Sequence, residues 1–335
     1  MIDKKYVLLQ SDFLKMKLFY SKILLFGEYG IIKNSKGLAI PYNFYKGTLK
    51  TLAEVEAECE PNGQKREDAR KSNEALKAFA SHLETLTKEA NPIVRFNIEK
   101  LNADIAEGMY FDSSIPQGYG VGSSGALVAA IYSEYAIDPI SAIDDLTREK
   151  LLQLKAIFGR MESFFHGTSS GLDPLNSYLS LPILINSYDN IEPTGIPTQT
   201  PDGKGAVFLL DSGIIGETAP MVHIFMENMK NEAFQKMLKE EFIKYTDACI
   251  DDFLKGRFKS LFGNIKSLSS IVLNHFKPMI PKEFHTLWKQ GIDTGDYFLK
   301  LCGSGGGGYI LGFTEDLEKA KRTLAGHKLE VVYQF

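Results

Sequence analysis

Residues 116–127, the most informative stretch of this chain, read Pro116-Gln117-Gly118-Tyr119-Gly120-Val121-Gly122-Ser123-Ser124-Gly125-Ala126-Leu127. It places glycines and two serines directly before an apolar run that suits a helix. In such a loop, backbone N–H groups can converge on an anion at the helix N-terminus, and the serine hydroxyls add hydrogen bonds or a metal ligand. The stretch therefore predicts a site for a phosphate-bearing ligand. The alternative is a plain turn with a serine N-cap.

Two common nucleotide motifs do not fit this loop. No lysine follows a glycine in the Walker A pattern. The spacing and the acidic partner of a dinucleotide fingerprint are also missing. Other parts of the chain must therefore support the phosphate interpretation.

Composition limits the classes of protein to which the chain can belong. With 335 residues, 44% of them hydrophobic and 24% charged, it has the make-up of a globular protein of one large or two smaller domains. The net charge of −4 argues against a general nucleic-acid binder. No signal peptide and no apolar run of membrane-spanning length is evident, so we expect a soluble, cytoplasmic protein without membrane contact.

The three cysteines also lead us to expect a cytoplasmic protein. Cys59, Cys249 and Cys302 have no paired spacing and cannot form an even disulfide framework, so they are interpreted as reduced thiols. No C-x-x-C or H-E-x-x-H motif supports a zinc site.

Helical and strand patterns alternate along the whole chain, which predicts an α/β or α+β fold. The segment 187–204 is polar, contains prolines, and is interpreted as a linker or a long hairpin. Strands are predicted at 22–26, 46–58, 93–98, 109–114, 182–186, 206–210, 309–313 and 329–335. Helices are predicted at 68–88, 126–138, 147–164, 220–239, 241–254, 257–275, 283–293 and 316–325.

Two further motifs accompany the glycine loop. They are Lys22-Ile-Leu-Leu-Phe-Gly-Glu-Tyr-Gly-Ile-Ile32 before it and Cys302-Gly-Ser-Gly-Gly-Gly-Gly-Tyr-Ile-Leu311 near the end. In this order the three motifs resemble the GHMP kinase superfamily of galactokinase, homoserine, mevalonate and phosphomevalonate kinases. The resemblance implies a two-lobed α+β fold, with ATP and acceptor in the cleft between an N-terminal lobe like ribosomal protein S5 and a ferredoxin-like C-terminal lobe. The implied domains are residues 1–190 and 191–335.

Within the superfamily, the chain is most similar to the mevalonate kinases. Glu162 is followed by His166-Gly167-Thr168-Ser169-Ser170-Gly171-Leu172-Asp173, close to the His-Gly-x-Pro-Ser-Gly-x-Asp loop of that family. The resemblance implies ATP-dependent phosphorylation of the primary hydroxyl of mevalonate, for isoprenoid precursor synthesis.

The chain departs from the family pattern at four positions. Tyr29 replaces the usual histidine and is closer to bacterial phosphomevalonate kinases, and Ser169 replaces the loop proline. Pro174 replaces the common asparagine, and Gly216 replaces a basic residue. These departures concern the acceptor side more than the nucleotide side. Phosphomevalonate kinase or another kinase of the superfamily is therefore the alternative.

The resemblance assigns Asp173 and Lys22 to the chemistry. Asp173 is expected to face the attacking hydroxyl, either as general base or as an electrostatic partner. Lys22 is expected to point toward the same hydroxyl, where a cation favours the developing alkoxide. The alternatives are an aspartate bonded to its own loop and a strand-edge lysine exposed to solvent.

The nucleotide side is assigned to the glycine loop and one carboxylate. Gly120, Gly122, Ser123, Ser124 and Gly125 are expected to hold the ATP phosphates. Ser124 and Glu162 are the expected ligands of Mg²⁺, which prefers hard oxygen ligands and keeps several waters. The alternatives are an N-cap role for Ser124 and a solvated carboxylate at the end of a helix for Glu162.

The acceptor side is assigned to Glu28, Tyr29, Gly171, Thr218, Gly305 and Gly306. Glu28 is equally well interpreted as a structural acid of its turn, and the glycine run after Cys302 as a flexible turn before a strand. His166 is expected to pack in its loop.

The implied partners are ATP and a small hydroxy acid, with no nucleic acid and no membrane. The oligomeric state stays open, and a homodimer is one alternative. A catalytically silent GHMP-fold sensor is the rival from a different class, and a decarboxylase of the same superfamily is a third alternative.

Overall fold

The computed structural model describes residues 17–54, 63–142 and 146–335. Short strands and helices alternate along these residues, as the sequence patterns predict. The strands are β1 (Phe19–Phe26), β2 (Gly37–Thr51), β3 (Met109–Ser113), β4 (Ile183–Ser187), β5 (Asn190–Pro193), β6 (Ala206–Asp211), β7 (Phe298–Leu301), β8 (Tyr309–Thr314) and β9 (Leu329–Gln334).

The helices occupy most of the chain between the strands. They are α1 (Gln64–Thr87), α2 (Ile98–Ala106), α3 (Ser123–Tyr135), α4 (Arg148–His166), α5 (Leu172–Leu179), α6 (Thr218–Asn228), α7 (Glu232–Met237), α8 (Ile243–Leu254), α9 (Phe258–His275), α10 (His285–Thr294) and α11 (Leu317–Thr323).

The described strands form two sheets. In one, the order is β1-β2-β4-β5, and β3 pairs with the far end of β2. The other has the order β7-β8-β6-β9, with antiparallel pairing of β6 to both β8 and β9 and of β7 to β8. This mixture of helices and mainly antiparallel strands confirms the predicted α+β class.

The chain divides into two compact units. Of the described residues, the first contains those up to Ser21 and within Asn43–Ile115 and Ser124–Ser180, and the second contains Lys22–Tyr42, Pro116–Ser123 and Leu181–Phe335. The segments alternate between the units, and the change at Ser124 falls at the start of α3. The family resemblance implies two consecutive domains that meet at residue 190. These compact units do not test that boundary, which stays a prediction.

Each unit has its own aromatic core. In the first unit, the rings of Phe158 and Tyr178 both pack edge-on against Tyr132, with centroid distances of 5.0 and 5.2 Å. In the second unit, Phe26 at the end of β1 stacks on Phe313 of β8, with ring centroids 5.4 Å apart. Helix α3 is buried on nearly every side, which explains its almost uninterrupted apolar sequence.

The strand predicted at 93–98 is wrong. The structure has a single bridge there, from Phe96 to Ala136, and helix α2 begins at Ile98. The Asn97 side chain accepts a hydrogen bond from the backbone N–H of Lys100 at 3.1 Å. This N-cap overrides the short β-like alternation.

The single helix predicted at 220–239 is also wrong, because it is interrupted after Asn228. Asn231 caps the new helix α7 by accepting hydrogen bonds from the N–H groups of Ala233 and Phe234. The predicted strand at 46–58 corresponds to the end of β2, which stops at Thr51, and residues 55–58 lie outside the described residues. The segment 187–204 begins with the β4–β5 hairpin and continues without regular structure to β6.

Two of the three cysteines can be placed. Cys249 and Cys302 are buried free thiols, in agreement with the prediction, and Cys59 lies outside the described residues.

Candidate active site

The phosphate loop, residues 116–123, belongs to the second unit. Gly118, Gly120 and Gly122 have φ angles of 74°, 77° and 81°, while Tyr119 and Val121 between them keep ordinary negative φ. Left-handed glycines at alternate positions let the loop turn tightly before a helix, the kind of backbone in which successive N–H groups can line a concave anion site. Ser123 then begins helix α3, whose N-terminus adds partial positive charge.

The carbonyl oxygens of this loop accept hydrogen bonds from other segments of the same unit. Gly118 O accepts from Gly216 N at 2.9 Å, and Tyr119 O accepts from Tyr309 N at 3.3 Å. Val121 O accepts from Lys22 N at 3.0 Å. Because these oxygens would repel a phosphate, their engagement with the protein suits a loop that presents N–H groups to an anion.

The glycine run Gly303–Gly308 lies directly against the phosphate loop. A Cβ on Gly120 would stand 2.6 Å from the carbonyl oxygen of Cys302, and one on Gly308 would stand 2.5 Å from Cα of Tyr119. The backbones are therefore too close for side chains at these two positions. The structure brings together two glycine motifs that are about 180 residues apart in the sequence.

Gly305 and Gly306 have packing roles within this run. A Cβ on Gly305 would meet the carbonyl oxygen of Met279 at 2.6 Å. The N–H of Gly306 donates to that same oxygen at 2.7 Å. Their contact with an acceptor molecule stays a prediction.

Lys22 is buried beside the phosphate loop. Its side chain is 4% exposed, and a Cβ on Gly122 would lie 2.9 Å from Lys22 Cγ. Its ammonium also acts electrostatically on Glu28. This burial excludes the alternative of a solvent-exposed strand-edge lysine. A buried cation beside such a glycine loop is an arrangement that a phosphoryl-transfer site would need.

Glu28 forms a buried ion pair that the sequence did not reveal. Lys300 of β7 places Nζ 2.5 Å from Glu28 Oε1, with both side chains at most 6% exposed. The same Nζ donates to Leu301 O at 2.9 Å and lies 5.8 Å from the ring centroid of Phe26. Burial raises the pKa of Glu28, while the ammonium groups of Lys300 and Lys22 oppose this rise. This pairing supports the structural interpretation of Glu28.

Tyr29 is buried, and its backbone has a φ of 59°. Its hydroxyl donates to Ser304 O at 2.6 Å, and its ring packs against Phe225 and Phe276 with centroid distances of 4.7 and 5.9 Å. Burial, followed by the negative charge of Glu28, raises the pKa of the Tyr29 hydroxyl. Thr218, the first residue of α6, accepts a hydrogen bond from Ser304 Oγ at 3.3 Å. Tyr29 and Thr218 thus both contact Ser304.

The first unit holds the expected metal ligands. Ser124 Oγ donates to Glu162 Oε1 at 3.0 Å, and His166 Nε2 lies 3.1 Å from Ser124 Oγ. Glu162 is on the last turns of α4 and is 4% exposed. It is therefore not a solvated helix-end carboxylate.

This donor set fits magnesium. Two adjacent ligands of an octahedral Mg²⁺ ion stand about 2.9 Å apart when each bond is about 2.05 Å, close to the Ser124–Glu162 separation. No group of three or more His, Cys, Asp or Glu side chains suited to a metal occurs in the described part of the chain. A site built from one hydroxyl, one carboxylate, phosphates and waters needs no such group.

Asp173 is half-buried in the first turn of α5, where a negative charge is favoured by the helix dipole. Its Cβ lies 3.0 Å from the place a Cβ on Gly125 would occupy. Gly125 therefore allows the starts of α3 and α5 to approach closely. Gly171, the N-cap of α5, has φ of 72°, and a Cβ there would collide with Lys155 O of α4.

Comparison with known proteins finds a similar family domain within the N-terminal part. Residues 75–180 match the family model of the GHMP kinases N terminal domain. This stretch of the chain is similar to that domain. That range includes α3 with Ser124, as well as Glu162 and Asp173. A search of curated proteins found no match.

Solved GHMP kinases share the fold over nearly the whole chain. L. major mevalonate kinase in complex with R-mevalonate matches with a TM-score of 0.60 and 14% identity, covering 95% of this chain and 96% of that one. Streptococcus pneumoniae phosphomevalonate kinase, in complex with phosphomevalonate and AMPPNP, matches with a TM-score of 0.58 and 12% identity, covering 95% of this chain and 99% of that one. Lactococcus lactis galactokinase complexed with galactose matches with a TM-score of 0.56 and 12% identity, covering 99% of this chain and 98% of that one. These matches confirm the GHMP kinase fold.

Two residues of the candidate site were missed or undervalued from the sequence. Lys300 carried one signal, a lysine inside the apolar strand Phe298–Leu301 directly before the glycine run. Ser169 was noted only as a departure from the loop pattern, yet it contacts Glu162.

A separate cavity of about 380 Å³ lies in the first unit. It is lined by the ends of β2 and β3 and by the second half of α3, including Lys17, Lys50, Glu134 and Tyr135. None of the predicted site residues lines it. No helix within the described residues is both long and apolar enough to span a membrane.

Proposed function

We propose that this protein is an ATP- and Mg²⁺-dependent kinase that phosphorylates the primary hydroxyl of mevalonate. The observation that carries the proposal is the Ser124–Glu162 contact of 3.0 Å directly after a loop of alternating left-handed glycines. Such a loop binds phosphate, and such a pair holds the cation that accompanies a triphosphate.

The nucleotide half of the reaction relies on positioning and charge. The N–H groups of residues 120–123 and the N-terminus of α3 would hold the phosphates in place. Mg²⁺, held by Ser124 and Glu162, would neutralise charge that develops on the transferred phosphoryl group. The buried ammonium of Lys22 beside Gly122 adds a positive charge that needs no solvent reorganisation.

The acceptor half is assigned to Asp173 and Lys22. A carboxylate at Asp173 would accept the proton of the attacking hydroxyl, or stabilise it electrostatically while the phosphate accepts it. Lys22 would stabilise the developing alkoxide in either case.

The choice of mevalonate rests on the loop from His166 to Asp173 and its resemblance to the mevalonate kinases. It is supported by the shared fold with a mevalonate kinase solved with R-mevalonate. The fold alone does not select an acceptor, because galactokinase and phosphomevalonate kinase share it at similar TM-scores.

A coupled ADP-release assay tests the proposal. The purified chain is incubated with ATP, Mg²⁺ and mevalonate, phosphomevalonate, homoserine or galactose in parallel. We expect mevalonate to give the highest kcat/KM. Absence of turnover with mevalonate would refute the choice of acceptor, and absence of turnover with all four would favour a nucleotide-binding sensor.

Phosphomevalonate kinase is the second candidate, and Tyr29 is the observation that favours it. A tyrosine after Gly27-Glu28 is closer to the pattern of bacterial phosphomevalonate kinases than to that of the mevalonate kinases. The Tyr29 hydroxyl donates to Ser304 O, so only its oxygen lone pairs are left for a bound acceptor. A phosphorylated acceptor would also need additional basic groups beside it. A kcat/KM for phosphomevalonate above that for mevalonate would establish this candidate instead.

A further inference from the structure

Ser169 contacts the carboxylate that is proposed to bind magnesium. Its hydroxyl donates to Glu162 Oε2 at 2.5 Å and accepts a hydrogen bond from the backbone N–H of Gly171 at 3.0 Å. Gly171 is the N-cap of helix α5, which carries Asp173 two residues later. One hydroxyl thus joins the end of α4 to the beginning of α5.

The two oxygens of Glu162 receive different hydroxyl groups. Oε1 accepts from Ser124 and Oε2 accepts from Ser169. The terminal torsion of a glutamate has a broad energy minimum, so its carboxylate plane is fixed only by its partners. Hydrogen bonds to both oxygens therefore fix the plane and direct Oε1 toward Ser124. Proline, which the family loop pattern has at position 169, has no hydroxyl and cannot donate such a bond.

We propose that Ser169 is a positioning residue that orients Glu162 for Mg²⁺ and ties it to the N-terminus of α5. This inference rests on the proposed function for the identity of the metal. Groups that hydrogen-bond to metal ligands commonly change metal affinity about 10- to 100-fold when they are removed. We therefore expect Ser169→Ala to weaken divalent-metal binding about tenfold.

The neighbouring Ser170 supplies a matched control. Its hydroxyl accepts from the backbone N–H of Leu172 at 3.4 Å, and it is exposed in the same loop. Ser170→Ala removes a serine hydroxyl and a hydrogen bond to the backbone but leaves the Glu162–Ser169 contact in place. Ser169→Thr keeps the hydroxyl and serves as the rescue variant.

The test measures metal binding directly. Mn²⁺ is titrated into each variant with ADP equimolar to the protein, free Mn²⁺ is followed by electron paramagnetic resonance, and a titration of the same ADP without protein is subtracted. We expect the dissociation constant to rise about tenfold in Ser169→Ala and to change less than about threefold in Ser169→Thr and Ser170→Ala. Thermal unfolding of each variant confirms that it is folded.

The outcomes separate this inference from the proposed function. Equal Mn²⁺ affinity in wild type and Ser169→Ala would overturn the positioning role, even when the wild type is an active kinase. A tenfold loss that Ser170→Ala shares would overturn it too, because the effect would then belong to the loop as a whole. A loss specific to Ser169→Ala in a protein that phosphorylates none of the acceptors would support the inference and reject the kinase.

Discussion

Replacing Lys300 by methionine should destabilise the protein strongly, because it leaves Glu28 buried without its partner. The Lys300 side chain is 3% exposed and that of Glu28 is 6% exposed, and their charged atoms are 2.5 Å apart. Removing one member of a buried ion pair costs about 3–5 kcal/mol, because the other charge loses its compensation without regaining water. Methionine is unbranched and only one heavy atom shorter than lysine, so little of this loss comes from packing.

The double variant Glu28→Gln/Lys300→Met is the matched control. Replacing both charges removes the uncompensated one, so we expect the double variant to lie within about 1–2 kcal/mol of wild type. Chemical unfolding by urea, followed by circular dichroism, gives the three free energies needed for the cycle. A loss below about 1 kcal/mol in Lys300→Met would refute the buried pair.

The loss in Lys300→Met should also depend on pH. Burial raises the pKa of Glu28 in the folded protein, and without Lys300 the opposing attraction is smaller. A carboxyl group with a raised folded-state pKa destabilises the fold above that pKa and ceases to do so as it takes up a proton. The difference between wild type and Lys300→Met should therefore be larger at about pH 8 than at about pH 5. For the double variant, the difference in stability from wild type should not become smaller at about pH 5.

Three further substitutions test the site. Asp173→Asn should lower kcat about 10²- to 10⁴-fold with the KM for ATP changed only a few-fold, and normal turnover would remove Asp173 from the mechanism. Gly122→Ala adds a Cβ 2.9 Å from Lys22 Cγ at a φ of 81° and should weaken ATP binding at least about tenfold by calorimetry, whereas Gly263→Ala, with open space around its Cβ, should not. Glu162→Gln should raise the Mg²⁺ concentration for half-maximal activity about tenfold, and an unchanged titration would remove Glu162 from the metal site.

Local sequence patterns predicted most of the helices and the glycine loop correctly, because long apolar periodicities and glycine spacing depend on neighbouring residues. They failed where one polar side chain decided the local structure. Asn97 begins a helix where alternation suggested a strand, and Asn231 caps a new helix inside an apparently continuous one.

Contacts between distant segments could not be predicted from the pattern of either segment alone. The glycine run after Cys302 packs on the phosphate loop, and Lys300 pairs with Glu28 across 272 positions of the chain. The carboxylate of Glu28 satisfies a buried cation, which its sequence neighbourhood does not indicate. The role that we propose for Ser169 likewise follows only from its contact with Glu162.

The transfer of phosphate to mevalonate is tested most directly by ³¹P nuclear magnetic resonance of the reaction mixture. With ATP, Mg²⁺ and mevalonate, we predict a new phosphomonoester signal that grows at the rate of ADP formation and is missing with Asp173→Asn. Formation of inorganic phosphate without any ester, or a spectrum unchanged from that of ATP, would show that the protein does not phosphorylate mevalonate.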